Sequence, residues 1–85
     1  MSHKLVYTRR AEKDIRKLDP SIKHQIGKAL LKLRNNPFEH SEKLTDSKIG
    51  TYRFRIGDYR VIFDIEENDI VVLRVGHRKE IYKRL

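Results

Sequence analysis

The spacing of apolar positions changes along the chain, and each change marks a new element. Lys4-Leu5-Val6-Tyr7 is a short, mostly apolar run that predicts a first strand. Thr8 then stands where a helix N-cap would, and Ala11, Ile15 and Leu18 follow at helical spacing. The other side of that helix carries Arg9, Arg10, Lys13, Arg16 and Lys17. Asp19-Pro20 predicts a restart, with a capping Asp and a Pro at the first helical position. The second helix runs to about Arg34 on a stripe of Ile22, Ile26, Ala29, Leu30 and Leu33, and Asn35-Asn36-Pro37 ends it. Gly27 inside it costs about 1 kcal/mol relative to Ala unless close packing uses it.

Residues 38–49 read as a polar connecting loop, pinned to the core by Phe38, Leu44 and Ile49. The period then becomes two. Tyr52, Phe54 and Ile56 alternate with Arg53 and Arg55, and Gly57-Asp58 is a two-residue hairpin signal. Tyr59, Val61, Phe63 and Ile65 alternate with Arg60, Ile62 and Asp64. A turn at Glu66–Asp69 leads to a last strand over Ile70–Val75, which the chain leaves at Gly76-His77-Arg78. Lys79 to Leu85 has room for one or two helical turns. The predicted fold is α+β, in the order β-α-α-β-β-β, with a helical hairpin covering one face of an antiparallel sheet and a short helical tail.

Eighty-five residues make one domain, residues 1–85, and a chain this short buries only about 60% of its unfolded surface. The absence of cysteine excludes disulfides and thiolate metal ligation, and fits a reducing cytoplasm. No run approaches the roughly 20 apolar residues of a membrane helix, and no secretory signal is visible. With no clustered His/Asp pattern, neither a metal nor a small-molecule cofactor is expected. The charge is the strongest compositional fact. Twenty Lys and Arg against twelve Asp and Glu leave +8, which predicts attraction to polyanions.

The hairpin turn sets a register that gathers part of this charge. Ile56 opposes Tyr59 and Arg55 opposes Arg60, so Arg53, Arg55 and Arg60 share the face opposite Tyr52, Phe54, Tyr59, Val61 and Phe63. Like charges directly opposite destabilise a strand pair by a few tenths to about 1 kcal/mol, whereas an anion held between them reverses the sign. Arg suits this role because its planar fork matches phosphate oxygens. Solvated arginines on an open sheet face are the plainer alternative. Strand parity after a four-residue turn puts His77 on the arginine face, and a one-residue change puts Arg78 there instead. Cleaving RNA without a metal requires deprotonation of the 2′-OH, stabilisation of the phosphorane and protonation of the 5′-oxygen. The arginines suit the second task, and His77 and Tyr82 are the candidates for the proton transfers.

The run from Tyr52 to Phe63, followed by Val75-Gly-His-Arg-Lys-Glu-Ile-Tyr82, resembles the RelE family of the RelE/ParE superfamily, and the N-terminal β-α-α order extends the likeness over nearly the whole chain. The resemblance implies a type II toxin that enters the ribosomal A site and cuts bound mRNA through its 2′-OH, without a metal. It implies catalytic roles for Arg53 and Arg55 on the second strand and Arg60 on the third. Arg78 then follows the Val-Gly turn, Tyr82 is the tail aromatic, and His77 stands where relatives carry a basic residue or a histidine. It also implies a RelB-like antitoxin as partner, which the +8 charge suits. The basic face of the first helix, Arg9 to Lys17, is the candidate contact for ribosomal RNA. One departure stands out: well-known bacterial members carry a lysine pair where this chain has Arg53 and Arg55, and arginine does not give up its proton. The competing readings are a ParE-like gyrase poison and a non-catalytic RNA-binding module.

Overall fold

Thr8 starts the first helix as its spacing predicts, and it also ties that helix to the sheet. Its backbone is extended, and its hydroxyl accepts from the Ala11 N–H while donating to the Leu73 carbonyl. The structure, a computed structural model, describes residues 3–44 and 51–82. The elements are β1 (Lys4–Tyr7), α1 (Arg9–Arg16), α2 (Pro20–Asn35), β2 (Ser41–Lys43), β3 (Tyr52–Ile56), β4 (Tyr59–Glu66) and β5 (Asp69–His77). Pro20 opens α2, and Asn36 caps its end just before the buried Pro37. Nothing lies within 4 Å of where a Cβ on Gly27 would stand, so close packing does not account for that glycine.

The five strands form one sheet in the order β1-β5-β4-β3-β2, with β1 parallel to β5 and the remaining pairs antiparallel. On one face the rows Phe54–Val61–Val75 and Tyr52–Phe63–Val72 run across three strands. Ala11, Ile26, Leu30 and Leu33 from the helices close over these rows to make the main core. Each large side chain fully removed from water there contributes roughly 1.5–3 kcal/mol. Ile15, Leu18, Ile22 and Ala29 pack around the edge of that core.

Three expectations change. Residues 38–49 are not all loop, because Ser41–Lys43 pairs with Tyr52–Phe54 as a short edge strand. Its sequence, Ser-Glu-Lys, carries no apolar alternation, so periodicity cannot reveal it. Phe38 does not pin this segment to the core: it is exposed and touches the Tyr52 ring edge-on at 5.8 Å, while Leu44 is half-buried and Ile49 lies outside the described residues. Over residues 78–82 the tail is a hydrogen-bonded turn rather than a helix, with the Glu80 and Ile81 N–H groups both donating to the His77 carbonyl, and the rest of the expected helical tail lies outside the described residues.

The third change decides which side chains share a face. Ile62 pairs with Arg74 but Phe63 pairs with Val72, leaving Leu73 as a bulge in β5. One extra residue reverses strand parity beyond it. Val75 and His77 therefore join the core face, and Arg74 and Gly76 join the arginine face. Side chains of α1 hold the bulge. β1 ends opposite Val72, so the edge of β5 beyond it lacks a neighbouring strand. There the Thr8 hydroxyl donates to the Leu73 carbonyl, and Asp14 accepts from the Val75 N–H at 3.0 Å and from Arg74 Nε at 2.8 Å.

Candidate functional site

The arginine face is built outward from the β3–β4 hairpin. Arg55 and Arg60 are directly opposed, as the turn predicts, and Arg53 lies two residues before Arg55 on the same face. Neither β3 nor β4 explains how three cations tolerate this proximity. The answer lies on β2, where Glu42 is the register partner of Arg53. One Glu42 oxygen accepts from Arg53 Nη2 at 2.7 Å, and the other is 3.3 Å from Arg55 Nε. The hydrogen bond from Arg53 holds the Glu42 carboxyl below its usual range, with further help from the charges of Arg55, Arg53 and Arg60. An internal carboxylate thus sits where the arginines converge, so their opposition does not by itself require an external anion.

Arg60 has a second internal role. It is only 9% exposed, and its Nη1 donates to the carbonyls of Gly57 and Tyr59, both at 2.8 Å. This guanidinium staples the hairpin turn that creates the register. Arg55, by contrast, is exposed beside Glu42, so a ligand can reach it from outside.

The tail brings a phenol to the cluster. Arg53 Nη1 donates to the Tyr82 hydroxyl at 3.2 Å. That bond is the first cause, and the Glu42 bond the second, of a guanidinium pKa held above its ordinary value. Arg53 Nε is buried without a partner, and an unmet buried donor costs about 1–3 kcal/mol. Tyr82, Arg53, Glu42 and Arg55 therefore form one chain of contacts across β2, β3 and the tail.

Other candidates lie elsewhere. His77, placed by the bulge on the core face, sets its ring edge-on to Tyr59 at 5.4 Å, and its Nδ1 accepts from the Lys79 N–H. It does not join the arginines, contrary to the parity expected from the turn alone. Arg78 is exposed at the hairpin end, where its N–H donates to the Asp58 carbonyl and its Nε is 3.6 Å from the Asp58 carboxylate. Arg9, Arg10, Lys13, Arg16 and Lys17 are all exposed on α1. Among the described residues, none of these five is ion-paired to the arginine face, and Arg10 approaches Asp14 at 3.7 Å. An open cleft of about 700 Å³ lies between α2 and β3, with Ala29, Leu31, Phe54 and Ile56 among its walls, Lys28 and Lys32 beside them, and Arg55 at its border with the arginine face.

Sequence reasoning missed Glu42 because its strand carries no hydrophobic signal. It also passed over Ile62, an apolar residue on an otherwise polar face, whose complete burial shows that something covers it.

Comparison with known proteins bears on the family and the fold. Residues 5–82 match the family model described as the ParE toxin of the type II toxin–antitoxin system parDE. The chain is similar to Toxin RelG of Mycobacterium tuberculosis, 33% identical over 87 residues that cover 99% of this chain and all of the relative. It is similar in structure to the toxin–antitoxin complex RelBE2 of the same organism, with a TM-score of 0.84, 28% identity, and 92% and 100% of the two chains covered. It also resembles a chain of the intact Escherichia coli RelBE toxin–antitoxin complex, with a TM-score of 0.74, 25% identity, and 89% and 96% covered. The chain belongs to the ParE toxin family within the RelE/ParE superfamily and is a type II toxin of RelE type.

Proposed function

We propose that this toxin is an endoribonuclease that cuts mRNA on the ribosome through the RNA 2′-OH. The observation that carries this reading is the contact chain Glu42–Arg53–Tyr82, with Arg55 beside it. A surface that only binds phosphate gains from arginines but has no use for a carboxylate and a phenol on either side of one of them. Cleavage uses all three kinds of group.

In this mechanism Arg55 and Arg53 hold the scissile phosphate, and Arg60 adds charge from the hairpin. Arginine cannot serve as general base, so the replacement of lysine by arginine would leave the site without one. Glu42 fills that role. Its carboxylate takes the 2′-OH proton, the 2′-oxygen attacks phosphorus, and the bond to the 5′-oxygen breaks. The Tyr82 phenol protonates that leaving oxygen, giving a 2′,3′-cyclic phosphate and a 5′-OH. The arginines stabilise the charge that develops at phosphorus, a contribution worth about 10²–10³-fold per donor in comparable sites.

Two partners follow. The basic face of α1 meets ribosomal RNA, and the +8 chain is neutralised by an acidic RelB-like antitoxin. The related RelBE2 and Escherichia coli RelBE structures are complexes of that kind. The family model is described as a ParE toxin, which keeps a second reading in view: a ParE-like poison of DNA gyrase, in which Glu42 and Tyr82 have no catalytic duty.

The deciding experiment adds the toxin to a translating extract and maps mRNA ends by primer extension. Cuts confined to ribosome-occupied codons are expected, about 10²–10³-fold weaker for Arg55→Ala. Intact message together with lost gyrase supercoiling would replace this reading with the second. Glu42→Gln separates a base from a mere occupant of the arginines: RNA should bind more tightly while cleavage slows. The Glu42 carboxyl lies below its ordinary value of 4.5, so it is ionised at neutral pH and cleavage should not fall until that region is approached. Its contact with Arg53 likewise stabilises the fold above the ordinary carboxylate value and is lost as pH falls through the lowered one.

A further inference from the structure

We infer that Ile81 is the positioning residue that seats the Tyr82 hydroxyl against Arg53, by locking the tail turn onto the arginine face; this rests on the ribonuclease reading for its catalytic consequence only. Ile62 and Ile81 are 0% and 1% exposed, yet neither belongs to the main core cluster. By register Ile62 points to the arginine face, away from the helices. Its burial therefore needs cover on that face, and Ile81 of the tail lies there, against the neighbouring strand at Gly76. A Cβ placed on Gly76, the residue opposite Arg60, would lie 3.8 Å from Ile81 Cβ and Cδ1. The Ile81 side chain thus rests on the bare backbone at Gly76.

The turn is fixed at its other end as well. The Arg78 N–H donates to Asp58, the Lys79 N–H to His77 Nδ1, and the Glu80 and Ile81 N–H groups to the His77 carbonyl. These bonds set the path of the backbone. They do not press it onto the sheet, because residues 78–80 are exposed. Ile81 is the one side chain between His77 and Tyr82 that is buried, and Tyr82 follows it directly. A phenol attached to an unanchored chain end would sample many positions. Placed one residue after a buried isoleucine, it is held at 3.2 Å from Arg53. Burial of a branched side chain also removes rotamer freedom that the neighbouring residue would otherwise share.

The test compares Ile81→Ala, Ile81→Leu and Tyr82→Phe by amide hydrogen exchange and by single-turnover cleavage on ribosomes, with circular dichroism to confirm the fold. Ile81→Ala should remove protection of the Glu80 and Ile81 amides while leaving the core strands protected. Its cleavage should fall about 100-fold, to the level of Tyr82→Phe, and the double variant should fall no further. Ile81→Leu should restore both protection and rate, with saturating RNA leaving the Ile81→Ala defect in kcat. Retained amide protection in Ile81→Ala, or losses that multiply in the double variant, would overturn the inference. If Ile81→Ala does not fold, Ile81→Val gives the same comparison in smaller degree. A wild-type chain that never cuts RNA would refute the ribonuclease reading alone, since the exchange data judge the seat by themselves.

Discussion

The two faces of the sheet are made by the same strands and organised on different rules. On the helix-covered face, Val61, Phe63, Val72 and Val75 form rows of apolar side chains that any well-packed neighbour satisfies. On the other face, Glu42 holds Arg53 and Arg55 by charge and hydrogen bond, Arg60 holds the hairpin turn, and Ile62 and Ile81 are buried apolar residues among them. The first face stores stability without caring which of several aliphatic residues stands where. The second depends on specific atoms at specific distances. Damage to the first should therefore appear in folding, and damage to the second in chemistry with the fold intact.

Phe63→Ala gives the largest effect on the core side. Phe63 is fully buried and stacks on Tyr52 at 5.4 Å, so truncation should cost about 3–5 kcal/mol in denaturant unfolding. That is a large share of the roughly 5–15 kcal/mol that holds a domain together. A loss below 1 kcal/mol would mean that the core face is loosely packed and the contrast overstated.

Asp14→Ala attacks the device that keeps the two faces distinct. Asp14 is 10% exposed in its side chain and holds both Arg74 and the Val75 N–H beside the β5 bulge. Removing one partner of a largely buried pair costs about 3–5 kcal/mol, and the partial exposure of Arg74 puts this case near the lower end. The informative readout is amide exchange at Val75 and Gly76. Faster exchange there, with β3 and β4 unchanged, would show that α1 holds the bulge; a uniform loss of protection would show that Asp14 serves the fold as a whole.

Most of the architecture is legible in the residues. Tyr52-Arg-Phe-Arg-Ile announces a half-buried strand, Gly57-Asp58 announces its turn, and the opposition of Arg55 to Arg60 follows by counting. Thr8 and Asp19-Pro20 mark the helix starts within a residue. The site is less legible, for two physical reasons. A three-residue edge strand such as Ser41–Lys43 has no room for periodicity, and it forms because β3 offers it a free edge and Arg53 offers Glu42 a charge. A bulge is likewise a tertiary event. Nothing local to Leu73 predicts it; Thr8 and Asp14, some 60 residues away in the chain, hold it in place. The sole local trace is that Val72 and Val75, both core residues, stand three apart where strict alternation would allow two or four.

Arg55→Ala and Arg60→Ala sharpen the comparison within the arginine face itself. Both should slow cleavage. Arg55 is exposed and its loss should leave unfolding stability within about 0.5 kcal/mol of wild type. Arg60 closes the hairpin through two backbone carbonyls, so its loss should also destabilise by about 1.5–3 kcal/mol, as expected for a charged hydrogen-bond donor. Equal stability of the two variants would mean that the turn closes without Arg60. The practical consequence is that Arg55→Ala is the cleaner catalytic control.

His77→Ala should have the smallest effect, and its size decides how the histidine is used. A catalytic acid or base in this chemistry is worth about 10²–10⁴-fold. The structure gives His77 a different occupation: its ring meets Tyr59 on the core face, and its Nδ1 accepts from the Lys79 N–H at 3.1 Å. That exposed bond helps shape the turn leading to Ile81, but the His77 carbonyl, which accepts from Glu80 and Ile81, survives substitution by alanine. Single-turnover cleavage should therefore fall only a few-fold, and the loss should vanish in a Tyr82→Phe background, where there is no phenol left to misplace. A hundredfold loss that persists in that background would put a proton on His77 during the reaction. It would also require the end of β5 to turn over during catalysis, bringing a residue of the core face to the arginine face.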